Sequence, residues 1–175
     1  AWQLRDNFTE MVPATVDTNL PNFQVYYPNY EYSESNTFLS NLGTPTISNI
    51  FTDRIHNDDR FYLNPYLPYF STPENTKYYN TRKPFSRLSY TNGSPRRIRE
   101  ETFEAFITEN ISPKLNFALR YHIISSRGQY IYQQVIKNSF HASANYLGDR
   151  YTLHGSFNVN RHKGNESGGI IDSVF

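Results

Sequence analysis

The side chains best suited to chemistry in this chain are histidines, arginines and a few carboxylates. His122 and His141 sit on the polar faces of two neighbouring alternating segments, on either side of a predicted long loop from Ser125 to Asn138, and can face each other. Neutral imidazole is a common metal ligand and a proton carrier near neutral pH. No carboxylate or third histidine joins the pair by spacing, and His154 starts from the opposite end of the same predicted sheet. Two histidines lining a polar face are therefore the simpler reading. Arg82, Lys83, Arg87, Arg96, Arg97 and Arg99 form the one basic cluster, followed at once by Glu100, Glu101 and Glu104, which cancel much of its field. In a channel, such a cluster would bias passage toward anions; otherwise it is a solvated turn with local ion pairs. Catalysis finds no support. There is no cysteine, no G-x-S-x-G elbow, and the stretch from Gly164 to Gly169 lacks the lysine of a phosphate-binding loop. Neither a catalytic nor a metal or cofactor site is expected.

These residues have to be placed by strands. From Leu115 to Ile124 the odd positions are Leu115, Phe117, Leu119, Tyr121 and Ile123, against Asn116, Ala118, Arg120, His122 and Ile124. From Tyr151 to Asn160, Tyr151, Leu153, Gly155, Phe157 and Val159 oppose Thr152, His154, Ser156, Asn158 and Asn160. Phe140, Ala142, Ala144 and Tyr146 alternate with His141, Ser143 and Asn145, and Phe103, Ala105 and Ile107 alternate more weakly with their neighbours. Period-2 alternation of this length predicts strands with one apolar and one polar face. Gly128 to Ile136 reads either as a fifth strand or as part of a loop. Asn110–Lys114 and Gly148–Asp149 read as tight turns at one end of the sheet, and Ser125–Asn138 and Gly164–Gly169 as longer loops at the other.

Residues 1 to 95 behave differently. They carry nine of the ten prolines, each of which fixes φ and removes a donor, so this part reads as extended segments and turns and not as a sheet of its own. It still has to bury Phe38, Leu39, Phe51, Phe61, Tyr62 and Phe85. Aromatics interleaved with proline, as in FYLNPYLPYF from Phe61 to Phe70, either staple such a segment to a sheet or stack on sugars. The organisation is thus 1–95, an extended Pro/Tyr-rich segment, and 96–175, a run of long strands.

The chain has 175 residues, one domain or a large piece of one, with 17 basic and 16 acidic residues and a net charge of +1. That balance argues against nucleic acid as a partner. No stretch approaches the ~18 apolar residues of a membrane helix, which excludes helical membrane spans but not a β-barrel, whose alternation dilutes hydropathy. Four N-x-S/T sequons, at Asn7, Asn92, Asn110 and Asn165, are what the abundance of Asn, Ser and Thr gives by chance. A soluble β-sandwich also alternates. The balance tilts toward a membrane barrel for three reasons: polar faces made of His, Asn, Ser and Thr with few Lys or Glu; strands near ten residues; and aromatics (Tyr121, Phe140, Tyr146, Tyr151, Phe157) toward strand ends, like an interfacial girdle.

Specific words then add to this reading. Asp17-Thr18, FLSNLGTP from Phe38 to Pro45, Ile50–Arg54, YNTRKPFSRLSY from Tyr79 to Tyr90, NISPKLNFALRYHIISSRGQY from Asn110 to Tyr130 and ESGGI from Glu166 to Ile170 occur in an order that resembles the putative porin family of Bacteroidota outer membranes. Ser167 stands where the family pattern usually has Asn. The resemblance implies a secreted segment followed by a many-stranded barrel, an outer-membrane location, passive solute diffusion and surrounding outer-membrane lipid as the main partner, with other outer-membrane proteins as further candidates.

The expectation is an all-β chain: part of a transmembrane antiparallel up-and-down β-barrel preceded by the extended segment. Since the smallest such barrels use eight strands, the chain is expected to be the N-terminal portion of a longer protein. Asn116, Arg120, His122, His141, Asn145, His154 and Asn158 are expected to line the lumen, and Leu115, Phe117, Leu119, Leu153 and Phe157 to face lipid. The alternatives are a barrel subunit that transports nothing, within a larger outer-membrane complex, and a soluble aromatic-rich β-sandwich that binds glycans or a protein.

Overall fold

A computed structural model of the chain describes residues 1–5, 8–14, 30, 33, 35–54, 61–93, 98–130 and 132–165. Ten strands are defined among them. β1 (Trp2–Leu4), β2 (Met11–Pro13), β3 (Asn36–Phe38), β4 (Thr46–Ser48) and β5 (Lys77–Tyr78) are two or three residues long. β6 (Phe85–Gly93), β7 (Arg99–Ser112), β8 (Leu115–Arg127), β9 (Gln134–Leu147) and β10 (Thr152–Asn165) run from nine to fourteen. The long strands form one antiparallel meander in the order β10-β9-β8-β7-β6, with both end strands as edges. The all-β expectation holds, and among the described residues the sheet does not close on itself.

The short strands belong to the proline-rich segment, as a β2-β1-β5 sheet and a β3-β4 hairpin, with 3₁₀ turns at Phe51–Asp53 and Phe61–Tyr69. Proline confines regular pairing there to these fragments. The long sheet, however, starts earlier than residue 96. β6 begins at Phe85, directly after Pro84, inside the stretch read from sequence as irregular. Its outward side chains are Ser86, Leu88, Tyr90 and Asn92, and only two of the four are apolar, too few to show a period.

Strands are also longer than the ten residues expected. The predicted loop from Ser125 to Asn138 shrinks to residues 128–133, closed by Gly128 N–H donating to the Gln133 carbonyl (2.9 Å). The ladder continues through Ser125, Ser126, Lys137 and Asn138, where side-chain alternation fades, because it is held by backbone groups that are indifferent to side-chain polarity. The β7–β8 connection is Pro113-Lys114, with a register shift between Asn110 and Ser112; residues 148–151 join β9 to β10, and Lys114 pairs with Asp149 across these two turns. Of the five aromatics expected at strand ends, Tyr146 and Tyr151 do meet at the turn end, 6.0 Å between centroids, while Tyr121, Phe140 and Phe157 lie mid-strand.

The faces of this sheet are inverted relative to a water-soluble one. Buried side chains on its inner face include Thr108, Asn116, Ser126, Lys137, Ser139, His141, Ser143 and Asn145, whereas Leu88, Tyr90, Ile107, Leu119, Tyr121, Phe140, Leu153, Phe157 and Val159 on the opposite face are exposed. The apolar cluster is small: Leu42, Tyr69 and Ile124, with Phe70 against it. It sits where two apolar residues of the inner face, Ile124 and Val135, meet the turn Asn41-Leu42-Gly43. Gly43 has φ +91°, and a Cβ there would lie 2.8 Å from Val135 Cγ1. Replacing Gly43 by Ala should therefore strain both backbone and contact. It should loosen the docked turn by about 1–3 kcal/mol, measured as faster proteolysis of the N-terminal segment in the folded protein.

Candidate functional site: the polar face and its cover

The inner face is built by parity. Because paired residues in an antiparallel ladder share a face, the registers place Arg87, Phe106, Arg120, His141 and Asn158 in one row and Ser89, Glu104, His122, Ser139 and Asn160 in the next. All seven residues expected to line a lumen (Asn116, Arg120, His122, His141, Asn145, His154, Asn158) lie on this face. The five expected to meet lipid (Leu115, Phe117, Leu119, Leu153, Phe157) lie on the other.

The two histidines do not face each other directly. His122 is opposite Ser139 and His141 opposite Arg120, so they are diagonal neighbours, and His141 Nδ1 lies 2.5 Å from Asn158 Oδ1. No group of three or more His, Asp or Glu that could hold a metal ion occurs among the described residues. His154 accepts a hydrogen bond from Trp2 Nε1 (3.2 Å), with the Tyr78 ring 4.9 Å away.

The basic cluster is split by the same parity. Arg87 points inward and meets Glu104 Oε1 at 2.5 Å; Arg120 of β8 holds Glu104 Oε2 through Nη2 (2.6 Å) and Nε (3.1 Å). Arg99 points outward and pairs with Glu101 at 2.6 Å. Arg82 and Lys83 are exposed, and Arg96 and Arg97, like Asp17-Thr18, Glu166–Ile170 and Phe175, lie outside the described residues. Glu104 is the residue that composition hid. It was one of three carboxylates after a basic run, and only the strand register shows that it bridges two arginines from flanking strands.

Much of the polar face is taken up by the N-terminal segment. Asn41 Nδ2 donates to Ser126 Oγ (2.6 Å), Ser126 Oγ donates to the Leu42 carbonyl, and Leu42 N–H donates to Glu100 Oε1 (3.1 Å). Asn160 binds the backbone of Ser71 at both ends, accepting from its N–H (3.1 Å) and donating to its carbonyl (2.8 Å). Asn110 accepts from Thr81 N–H (3.1 Å) and donates to Asn80 Oδ1 (2.8 Å), and Gln133 donates to Ser40 Oγ (2.6 Å). Rings do the rest: Tyr66 lies 4.8 Å from His162, and Tyr79 5.1 Å from Phe106. Burial pushes the Tyr69 and Tyr79 hydroxyls above the ordinary phenol range, so both stay protonated at neutral pH.

Asn116 is 2% exposed and donates to Asn110 Oδ1 (2.6 Å), so its amide is covered within this face. One expectation fails here. Leu39, Phe51, Phe61 and Tyr62 were expected to be buried and are exposed instead. The segment spends polar groups on the sheet and leaves these four apolar side chains exposed.

Glu104 decides how well the face tolerates its cations. Glu104→Gln removes the shared charge from two partly covered arginines and should cost about 2 kcal/mol, between the values for exposed and buried pairs. Glu101→Gln, in the exposed outward pair, should cost about 0.5 kcal/mol or less. Urea unfolding of the full-length protein in lipid would compare the two.

No curated protein and no solved structure matches the chain. The family described as putative porin matches residues 1–175. The chain therefore belongs to the putative porin family, which places it at family level among porin-like outer-membrane proteins.

Proposed function

We propose that the five long strands form part of the wall of an outer-membrane β-barrel whose polar interior is narrowed by the described parts of the N-terminal segment of the same chain. The carrying observation is the inversion of faces. Apolar side chains project outward from the sheet while Asn, Ser, His and charged groups are covered, which suits lipid outside and a polar lumen inside. The open edges of β6 and β10 fit a barrel completed by further strands.

The outward apolar run supports this reading quantitatively. On β6 it is centred at Ser89 (Leu88 to Tyr90), whose row partner on β10 is Asn160; on β10 it is centred at Ser156 (Leu153 to Val159). The band thus drifts toward the turn end by four residues over four strand steps, about one residue per strand. With a rise of about 3.3 Å per residue and strands about 4.8 Å apart, a level band requires the strands to tilt by about 35°. Outer-membrane barrels tilt by roughly 35–45°.

Solute passage through such a barrel would be low or gated, since the segment occupies hydrogen-bonding groups that would otherwise face water. The same observation favours a second reading, a barrel subunit that conducts nothing. Planar-bilayer recording of the full-length protein tests both. The native protein should show low or intermittent conductance, and the double variant Trp2→Ala/Asn160→Ala, which removes two anchors of the segment, should show larger and longer openings. A large steady native conductance would overturn the narrowing, and a variant as silent as the native protein would favour the subunit.

The wall itself is tested by substitution. Leu119→Arg and Leu153→Arg should each cost about 2–4 kcal/mol if they sit near the bilayer midplane, whereas Ser89→Arg, inward, exposed and opposite Glu104, should cost little. Equal tolerance at both would remove the assignment of faces.

A further inference from the structure

Beyond the last outward apolar residue of β7, β8 and β10, at the end opposite the tight turns, the outer face turns basic. Arg161 and Lys163 follow Val159 on β10 by two and four positions, Arg127 follows Ile123 on β8 by four, and Arg99 precedes Phe103 on β7 by four. All four share parity with the apolar band, so they stand on the outer face, and all are exposed. Arg99 and Arg127 are directly opposite each other in the β7–β8 ladder, where like charges repel. Glu101 neutralises Arg99 at 2.6 Å. Among the described residues no carboxylate lies within ion-pair distance of Arg127, Arg161 or Lys163.

These cations do not share one strand row. Arg127 and Arg99 lie two positions beyond Lys163 and four beyond Arg161 in the ladder, yet each stands two or four residues past the slanted edge of the apolar band. At about 2.7 Å of height per residue for strands tilted by about 35°, they form a layer about 5–11 Å beyond the hydrocarbon boundary. That is the depth of lipid headgroups. On β9, between β8 and β10, the outward residues at this level are Asn138, Ile136 and Gln134, none of them charged, so the positive field is left intact. At the turn end Lys114 is paired with Asp149, and Arg150 stands exposed in the turn itself, outside the strands.

We infer that Arg127, Arg161 and Lys163 form an outward-facing site for the phosphate groups of lipid headgroups in the leaflet at the loop end of the sheet. The occupant follows from charge complementarity: three cations at headgroup depth, with no carboxylate partner among the described residues and only uncharged side chains between them on β9, match an anionic headgroup carrying more than one phosphate. Guanidinium supplies two-pronged hydrogen bonds to phosphate oxygens and the lysine a point charge. The inference rests on the barrel reading above, since it needs the apolar band to be in lipid.

The test uses the full-length protein in nanodiscs of zwitterionic lipid doped with bisphosphorylated lipid A or with its dephosphorylated form. The native protein should enrich the bisphosphorylated lipid in its annulus. A juxtamembrane cation contributes about a fivefold preference near an anionic surface, so the triple variant Arg127→Gln/Arg161→Gln/Lys163→Gln should lower the enrichment by up to about a hundredfold. Lys114→Gln should leave it unchanged. Inorganic phosphate added at millimolar concentration should not compete, because the site needs phosphates held at the headgroup plane. Equal enrichment of the two lipids, or a triple variant that enriches like the native protein, would overturn the site; competition by inorganic phosphate would make it a site for free anions and overturn the lipid assignment. A spin label on Leu119→Cys reports separately on the barrel. If that label is lipid-exposed while enrichment is absent, only the headgroup site fails; if it is in water, the barrel reading itself fails.

Discussion

The polar inner face of the sheet has to find partners, and most of what is particular about this chain follows from that. Side chains such as Ser126, Lys137, His141 and Asn145 are buried, and a polar group taken from water without a partner costs free energy comparable to a lost hydrogen bond. The N-terminal segment supplies many of the partners. Its backbone, left unpaired by its prolines, has donors and acceptors to spare, and the sheet has side-chain amides to receive them. Asn160 gripping both polar groups of Ser71, and Asn110 holding Thr81 and Asn80, are the same solution at two places. Short strands in one part and long polar-faced strands in the other are therefore complementary halves of one arrangement.

The outer face shows the converse. Leu88, Leu119, Leu153, Phe140, Phe157 and Val159 are left exposed by the described residues, and a soluble protein seldom leaves so continuous an apolar surface uncovered. Family membership and the slant of the band across the ladder both fit a lipid surface. Charges sit where that surface stops. Glu101, Arg99, Arg127, Arg161 and Lys163 all lie beyond its loop-end edge, so one sequence pattern marks both the extent of the apolar band and where it stops.

How much of this is legible in the sequence depends on whether side chains or backbone carry the information. Leu115 to Ile124 and Tyr151 to Asn160 alternate cleanly, and their faces are read correctly from parity alone. β6 is missed because only Leu88 and Tyr90 mark its apolar face, and because Pro84 beside it suggests irregular chain. The extra length of β8 and β9 is missed because Ser125, Ser126, Lys137 and Asn138 carry no alternation, although their backbones pair in register. Glu104 is hidden for a different reason. Its partners come from residues 17 positions earlier and 16 later, and only the ladder brings them together. His122 and His141 are placed on the right face but in the wrong rows, since the turn is centred one residue earlier than the predicted loop, which shifts the register of the two strands by two.

One contact bears on how the molecule is made. Trp2 meets His154 across 152 residues of sequence, and Ser71 meets Asn160 across 89. The segment emerges from the ribosome before any strand that it is to cover, and until β10 exists those anchors have nothing to hold. Contacts of such long sequence separation form late and slowly, because the loop they close must first lose its freedom. The parts of the segment held by β10 are thus in place only after that strand has paired, while the turn held by Ser126 and Glu100 and the stretch held by Asn110 need only β7 and β8, so the cover closes over the polar face in stages.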